Sequence, residues 1–336
     1  MSPIILSGYR NKLKIFLYGP SLLKMDRWYD NKKAFLNEVG SKMTSDKQVQ
    51  VQKVGKGLLQ GYYLKNRIRN SAGAILVFGG SEGGCNYQKA EWLAHQGYEV
   101  LALYLFGKPY LPDELKKVPL EIFEAALSFI RESFSCSTSI TVIGESKGAE
   151  FSLLLASKYS DSIDKVVGIV PSSFVFYGLG EMDNEVSSWT QAGVEIPYIS
   201  LAAIRKGVHL ATIKPFLRYF YGTLRKKPIA FRTLYQACVQ LSDHGEEARI
   251  KVENFQGDVL LIAGKEDQLW HSDKMAMEIA EHRGQLRTKV IIYEKAGHSI
   301  GGPYQTSQLI LGGNEEQSKR CYEPMMQAIQ SFCQNS

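Results

Sequence analysis

The chain has 336 residues, of which 44% are hydrophobic, and it carries a formal net charge of +6. This composition allows a large buried core, and the modest, dispersed positive charge does not by itself indicate nucleic-acid binding, so we expect no nucleic-acid partner. No apolar run approaches the length of a membrane span, and Arg10, Lys12 and Lys14 interrupt the residues that an export signal would need. We therefore expect a folded, soluble protein.

The cysteines are odd in number, widely scattered and without a C-x-x-C motif. They are Cys85, Cys136, Cys238, Cys321 and Cys333. This spacing argues against a disulfide framework and against a zinc site. H-E-x-x-H, P-loop and acidic metal-binding motifs are also missing from the sequence. The sequence therefore predicts a cytoplasmic protein with no metal and no cofactor.

The N-terminal part differs in pattern from the rest of the chain. Residues 1–56 are predicted to form an N-terminal extension, helical or irregular up to about Lys42 and then extended around Gln48 to Lys53. A second strand pattern covers Gly57 to Lys65, and the two could form an antiparallel edge. The main domain is predicted to run over residues 57–336.

From Ala74 onward, buried strand patterns alternate with helical patterns. The predicted strands are Ala74 to Phe78, Glu99 to Tyr104, Ser139 to Ile143, Lys165 to Val170, Asp258 to Ala263 and Thr288 to Tyr293. The predicted helices are Asn86 to His95, Leu120 to Glu132, Ala149 to Tyr159 and Tyr322 to Cys333. This alternation predicts an α/β fold with a mostly parallel central sheet flanked by helices.

The segment between Pro171 and Gln256 interrupts this alternation. It has no strand pattern but contains aromatic-rich helical stretches, such as Ile199 to His209 and Leu217 to Leu224. It is too long for a structureless loop in a compact domain. We predict a helical cap insertion over about residues 172–256, above the strand ends where open α/β sheets bind their ligands.

The pentapeptide Gly144-Glu145-Ser146-Lys147-Gly148 lies between a predicted strand and a predicted helix. A G-x-S-x-G motif in the order strand, turn, helix is the nucleophile elbow of the α/β-hydrolase fold. Glycines flank the serine because a Cβ at either place would crowd the crossing strand and helix. The motif makes Ser146 the candidate nucleophile.

Ser146 needs a base and an acid that orients the base, and in this fold they follow in the order serine, acid, histidine. His298 fits the base because it follows the last predicted strand in a glycine-containing loop. Asp267 fits the acid because it lies just after the strand that ends at Ala263. Glu266, its neighbour in sequence, is the competing acid.

The oxyanion of an acyl-transfer intermediate requires two backbone donors. One is predicted to be the amide of Lys147, which follows the nucleophile. The other is predicted to be Gly80, in the loop Phe-Gly-Gly-Ser-Glu-Gly-Gly at 78–84. This loop departs from the dinucleotide-binding pattern G-x-G-x-x-G at Ser81, which argues against a dinucleotide cofactor.

Several motifs together resemble one family. They are the Gly-Glu-Ser-Lys-Gly-Ala-Glu motif at 144–150, the glycine-rich loop at 78–84, Gly-Lys-Glu-Asp-Gln-Leu-Trp at 264–270, Ala-Gly-His-Ser-Ile-Gly-Gly-Pro-Tyr at 296–304, and Leu-Gly-Gly at 311–313. In combination they resemble the catalytic domain shared by acyl-CoA thioesterases and bile acid-CoA:amino acid N-acyltransferases, over roughly Gly57 to the C-terminus. The resemblance implies an α/β-hydrolase with Ser146, Asp267 and His298 as its triad.

Two departures from that family refine the expected activity. The segment before the domain is too short for the β-sandwich of the eukaryotic members, and Ser146 stands where the acyltransferases use cysteine. A serine acyl-enzyme is generally resolved by water, so hydrolysis of an acyl thioester, with acyl-CoA as substrate, is the leading hypothesis. The alternatives are a carboxylesterase or peptidase with the same triad, an acyl-CoA:amino acid N-acyltransferase, and a non-catalytic binding protein.

Overall fold

We describe the protein from a computed structural model. It covers residues 48–334 except 70, 136–138, 181–184, 203–220, 223, 224 and 226. The predicted helical or irregular part up to about Lys42 lies outside the described residues. So does most of the two helical stretches predicted for the cap. Within the described ranges we find no helix with the length and apolar character that a bilayer crossing requires.

The centre of the fold is an eight-stranded sheet with the strand order β1-β2-β4-β3-β6-β7-β10-β11. Its strands are β1 (Val49–Lys56), β2 (Leu59–Asn66), β3 (Ala74–Phe78), β4 (Glu99–Leu103), β6 (Ile140–Glu145), β7 (Lys165–Ile169), β10 (Asp258–Gly264) and β11 (Thr288–Tyr293). The hairpin β1–β2 is antiparallel and joins β4 in antiparallel register; the other neighbours are parallel. The α/β-hydrolase fold is thereby confirmed.

The inner strands are buried on both faces. Every residue of β3, β4 and β7 is buried. Because alternate side chains of a strand point to opposite faces, full burial means that both faces are covered. The continuous apolar runs that predicted these strands therefore have a direct structural cause.

Helices connect and cover the strands. They are α1 (Tyr87–His95), α2 (Ile122–Ser133), α3 (Lys147–Lys158), α4 (Arg232–Leu241), α5 (Gly245–Ala248), α6 (Ser272–Arg283) and α7 (Glu315–Gln334). The last helix begins seven residues before the predicted Tyr322, because the side chain of Asn314 accepts a hydrogen bond from the Gln317 amide and caps a first turn rich in glutamate.

The segment between Pro171 and Gln256 is not purely helical, so the expectation of no strands there was wrong. It contains β8 (Trp189–Gln191) and β9 (Val194–Glu195), which join β5 (Val118–Pro119) in a second, three-stranded sheet. Strands of two or three residues are too short to produce a periodic pattern. The helix α4 was also not singled out from the sequence.

Residues of this segment form a second buried core beside the main one. Its centre, which we call the aromatic cluster, consists of Phe176, Tyr177, Phe231, Tyr235 and Trp270. The ring centroids of Phe176 and Tyr235 are 4.6 Å apart, and those of Tyr235 and Trp270 are 5.6 Å apart. The cluster joins the segment to the loop after β10.

The proposed domain boundary at residue 57 falls in the turn between β1 and β2, which pair along their whole lengths. The division into an extension (1–56), a hydrolase domain (57–336) and a cap (about 172–256) stays a prediction.

Candidate active site

Ser146 lies at the sharp turn between β6 and α3. Its backbone has φ 56° and ψ −120°, an uncommon conformation for a residue with a side chain. A Cβ on Gly144 would lie 2.0 Å from the Gly148 carbonyl oxygen, and one on Gly148 would lie 2.3 Å from that of Gly79. The two glycines of the motif are therefore required by backbone contacts.

The three residues predicted as a triad form one chain of hydrogen bonds. His298 Nε2 lies 2.8 Å from Ser146 Oγ, and His298 Nδ1 lies 2.9 Å from Asp267 Oδ2. All three residues are buried. Because an ionised carboxylate can only accept, Nδ1 carries the proton in this arrangement and Nε2 is left to accept from the serine hydroxyl.

The carboxylate of Asp267 is held by four donors. Its Oδ1 accepts from the amides of Leu269 (2.8 Å) and Trp270 (3.3 Å), and its Oδ2 accepts from Ser272 Oγ (2.7 Å) as well as from His298. These bonds fix the direction in which the carboxylate faces the imidazole. Sequence reasoning did not identify Ser272, because a serine at the start of a helix gives no sign of a contact with Asp267.

The competing acid, Glu266, does not reach the histidine. Its carboxylate pairs with Lys295 at 3.0 Å and is 40% exposed, whereas that of Asp267 is fully buried. Of these two adjacent residues, Glu266 therefore faces solvent and Asp267 faces the site, where it contacts His298.

The loops that carry Asp267 and His298 are joined by a third segment, Leu311 to Gly313. The Leu311 carbonyl accepts hydrogen bonds from the amides of both Gln268 (3.1 Å) and His298 (2.8 Å). A Cβ on Gly297 would lie 2.2 Å from the Gly312 carbonyl oxygen, so the backbones pack directly on one another. This contact explains the Leu-Gly-Gly motif at 311–313.

The ring of His298 also meets Trp270. The centroids are 4.9 Å apart and the rings are nearly perpendicular, at 89°. Trp270 Nε1 donates to the Val170 carbonyl at 3.2 Å, and its indole stacks on Phe176 at 6.1 Å. Trp270, held by the aromatic cluster, thus packs against the imidazole of His298 and limits the orientation of that ring. Trp270 ends the motif at 264–270, but sequence reasoning gave it no role.

The side chain of Lys147 turns away from the site into a buried ion pair. Its Nζ lies 2.7 Å and 2.8 Å from the two carboxylate oxygens of Glu150 and also donates to the Phe176 carbonyl. Glu150 Oε1 accepts from Trp189 Nε1 at 2.7 Å and from the Phe176 amide at 3.1 Å. Burial lowers the pKa of Lys147 and raises the pKa of Glu150, and each partner opposes the other's shift. The network ties α3 to the segment between Pro171 and Gln256.

Gly80, one of the two predicted oxyanion donors, lies beside the serine. A Cβ at Gly80 would be 3.1 Å from Ser146 Cβ. The Gly80 amide donates to Glu82 Oε1 at 2.9 Å, so a carboxylate of the same loop faces this donor. The other predicted donor, the Lys147 amide, is the first N–H of α3 and has no acceptor within the helix. Glu82 was not singled out from the sequence.

Behind Gly80, the side chain of Glu145 pairs with α1. Its Oε2 lies 2.8 Å from Lys89 Nζ and accepts from Asn86 Nδ2 at 3.3 Å. Although burial disfavours the charge, Lys89 and Asn86 hold the pKa of Glu145 below its usual value. The residue that precedes Ser146 therefore has a carboxylate whose charged form is favoured.

Other reactive groups are sparse in the part of the chain that the structure describes. We find no group of three or more side chains there that could hold a metal ion. The described cysteines are free thiols, and burial raises the pKa of Cys85 to about 11.

The fold and the serine-centred site define the class as an α/β-hydrolase. An esterase of Pyrococcus furiosus is similar in structure, with a TM-score of 0.51 and 14% identity over 84% of this chain and 90% of that one. Residues 118–312 match the family described as BAAT / acyl-CoA thioester hydrolase C terminal. The chain belongs to this family, and so to a family of enzymes.

Curated relatives carry two kinds of name. Human acyl-coenzyme A thioesterase 6 is 29% identical over 237 residues, which is 69% of this chain and 49% of the relative. Mouse acyl-coenzyme A amino acid N-acyltransferase 1 is 28% identical over 265 residues, which is 75% of this chain and 56% of the relative. The chain thus spans about half the length of the curated relatives it matches.

Proposed function

We propose that the protein is a serine hydrolase of acyl thioesters, with acyl-CoA as the substrate class. The observation that carries the proposal is the continuous hydrogen-bond chain from Asp267 through His298 to Ser146 at a strained elbow. The family match and the thioesterase relatives support the thioester as the bond that is cleaved.

In the first half of the proposed reaction, Ser146 Oγ attacks the acyl carbonyl carbon while His298 Nε2 takes the hydroxyl proton. The amides of Lys147 and Gly80 donate to the oxyanion that forms. Asp267 stabilises the imidazolium. The intermediate collapses by breaking the C–S bond, and His298 returns its proton to the departing thiolate, which leaves an acyl-Ser146 ester.

In the second half, His298 accepts a proton from a water molecule that attacks the ester carbonyl. Breakage of the C–O bond to Ser146 Oγ, with return of the proton to that oxygen, releases a carboxylic acid and restores the enzyme. Serine at position 146 supports water over an amine as the acceptor. The apolar cap segment is proposed to hold the acyl chain.

The proposal is tested with a panel of acyl-CoA substrates and matched oxygen esters of the same acyl chains. We expect acyl-CoA to be hydrolysed with the higher kcat/KM, and Ser146→Ala to abolish turnover. A clear preference for the oxygen esters would replace the thioesterase with a carboxylesterase. Formation of N-acyl products with added glycine or taurine would replace hydrolysis with acyl transfer.

A fluorophosphonate probe tests the nucleophile separately from the substrate. We expect covalent labelling of the wild type and none of Ser146→Ala. An unlabelled wild type would point instead to a non-catalytic binding protein.

We also propose a cytoplasmic location, for which the free cysteines are the support. Cell fractionation tests it; recovery of the protein in an organelle fraction would contradict it. Two mouse relatives are named as peroxisomal and mitochondrial thioesterases, so the location differs among relatives.

A further inference from the structure

The carboxylate of Glu82 lies at the place where the proposed reaction needs an empty donor. Its Oε1 accepts the Gly80 amide at 2.9 Å. The position that a Cβ of Gly80 would take is 2.7 Å from Glu82 Oε2 on one side and 3.1 Å from Ser146 Cβ on the other. The carboxylate therefore bonds the Gly80 amide, and Ser146 lies beside the same residue.

The surrounding backbone is suited to an anion. The amides of Gly80 and of Glu82 itself both stabilise the Glu82 carboxylate, and the Gly83 amide closes the turn onto the Gly80 carbonyl. The amides of Gly80 and Glu82 converge on one carboxylate, and backbone amides that converge in a turn form a concave anion site. A carboxylate held there resembles, in charge and in donors, the oxyanion of a tetrahedral intermediate.

Two features make this carboxylate replaceable. Glu82 is an exposed residue, so its side chain can turn into solvent. The charged groups that act on it are Glu145, at the end of β6, and Lys89, on α1. Although the residue as a whole is exposed, burial of its carboxylate raises the pKa of Glu82, and Glu145 raises it further, whereas the two amides and Lys89 oppose the shift. The Glu82 carboxylate has two backbone donors, whereas that of Asp267 has four donors.

We propose that Glu82 occupies the Gly80 donor of the oxyanion site between turnovers, gives way to the substrate carbonyl, and excludes carboxylate products from that site. This inference rests on the proposed hydrolysis, which yields a carboxylic acid whether the substrate is a thioester or an oxygen ester. The product anion needs the same amide as the Glu82 carboxylate. A returning Glu82 competes with it and repels it, so Glu82 selects a neutral carbonyl over an anionic acid.

The test compares wild type with Glu82→Gln, which keeps the shape and an acceptor oxygen but removes the charge. We expect the variant to react with a fluorophosphonate about fivefold to tenfold faster, because a charge-assisted hydrogen bond to Gly80 is lost. We also expect the free acid of the best substrate to inhibit it with a Ki about tenfold lower. Glu132→Gln, at an exposed residue of α2, makes the same change of charge and serves as the control.

The pH dependence adds an independent readout. Glu82 competes for the amide most strongly when ionised, above its pKa, and weakly when protonated. We therefore expect the rate ratio of variant to wild type to be largest at high pH and to approach one as the pH falls through the raised pKa of Glu82.

Equal or slower labelling of Glu82→Gln, or an unchanged Ki, would overturn the inference. Slower labelling would mean that Glu82 orients the Gly80 amide for catalysis. Glu82→Ala controls for an effect of the glutamine side chain itself, and it is expected to be labelled faster than wild type as well. Thermal unfolding of both variants checks that they are folded. If the wild type is not labelled at Ser146, both the proposed function and this inference are wrong. If the wild type is labelled and active but Glu82→Gln has the same labelling rate and the same Ki, only this inference is wrong.

Discussion

The two sides of Ser146 are built differently. On the side of His298, which we call the base side, the buried carboxylate of Asp267 accepts four hydrogen bonds. The Leu311 carbonyl joins the loop of Asp267 to that of His298. On the oxyanion side, the Gly80 amide faces the carboxylate of an exposed Glu82. The groups proposed for proton transfer are therefore fixed by several hydrogen bonds, whereas the proposed oxyanion donor faces a carboxylate that a substrate would have to displace.

The largest effect is expected for Asp267→Asn. The amide keeps the size of the side chain but removes the charge that holds the Nδ1–H tautomer of His298, so we expect kcat/KM to fall by about 10³-fold or more, as for the acid of other serine triads. Steady-state kinetics measure it. The matched control is Glu266→Gln, one residue earlier, which we expect to stay within about twofold because that side chain faces solvent. Equal losses in both variants would mean that the base side does not depend on Asp267.

The second largest effect is expected from breaking the buried ion pair between Lys147 and Glu150, which lies beyond the triad. Lys147→Met leaves the buried Glu150 without its cation, so we expect a loss of about 3–5 kcal/mol in the free energy of unfolding. Denaturant unfolding measures it. Lys147→Met combined with Glu150→Gln removes both charges and is expected to regain part of the loss. If the double variant is as unstable as the sum of the two single variants, the pair is not coupled.

Alanine substitutions at Gly148 and Gly80 compare a site crowded by backbone atoms with a site crowded first by a flexible side chain. A Cβ on Gly148 meets the backbone oxygens of Gly79 and Phe78, whereas one on Gly80 meets first the flexible end of Glu82. We expect Gly148→Ala to cost about 2–3 kcal/mol of unfolding free energy and Gly80→Ala less than about 1 kcal/mol. Thermal unfolding of both measures the difference. A similar loss at Gly80 would show that the oxyanion loop is as rigid as the elbow.

A smaller loss of activity than for Asp267→Asn is expected for Ser272→Ala, which removes one of the four donors to Asp267. Since the other three remain, we expect kcat to fall about tenfold with KM unchanged, in line with a group that orients a catalytic side chain. Rescue by Ser272→Thr would support a hydroxyl that positions Asp267. A rise in KM without a fall in kcat would contradict that role.

The order of the elements made the central part of the site predictable. In a parallel sheet the carboxyl ends of the strands lie at one edge, so Ser146, Asp267 and His298, which follow β6, β10 and β11, had to come together there. The same reasoning located the glycine-rich loop after β3. Fold class and triad geometry therefore followed from strand order and one motif, although the roles of the residues remain a proposal.

The supporting contacts were not predictable because they join residues far apart in sequence through side-chain packing. Trp189 reaches Glu150 across 39 residues, and Trp270 reaches Val170 across 100. No periodic pattern encodes such contacts, and the strands that carry Trp189 and its neighbours are too short to be recognised. Glu82 was hidden for another reason, since a glutamate in a glycine-rich loop resembles any solvated turn residue.

The perpendicular contact between Trp270 and His298 gives the protein an internal optical probe. Indole emission responds to the charge and motion of a neighbouring imidazole, and this indole stands between the proton-transfer chain and the aromatic cluster. We expect the proposed acyl-enzyme formation at Ser146 to change the emission of this indole, which is one of four in the chain.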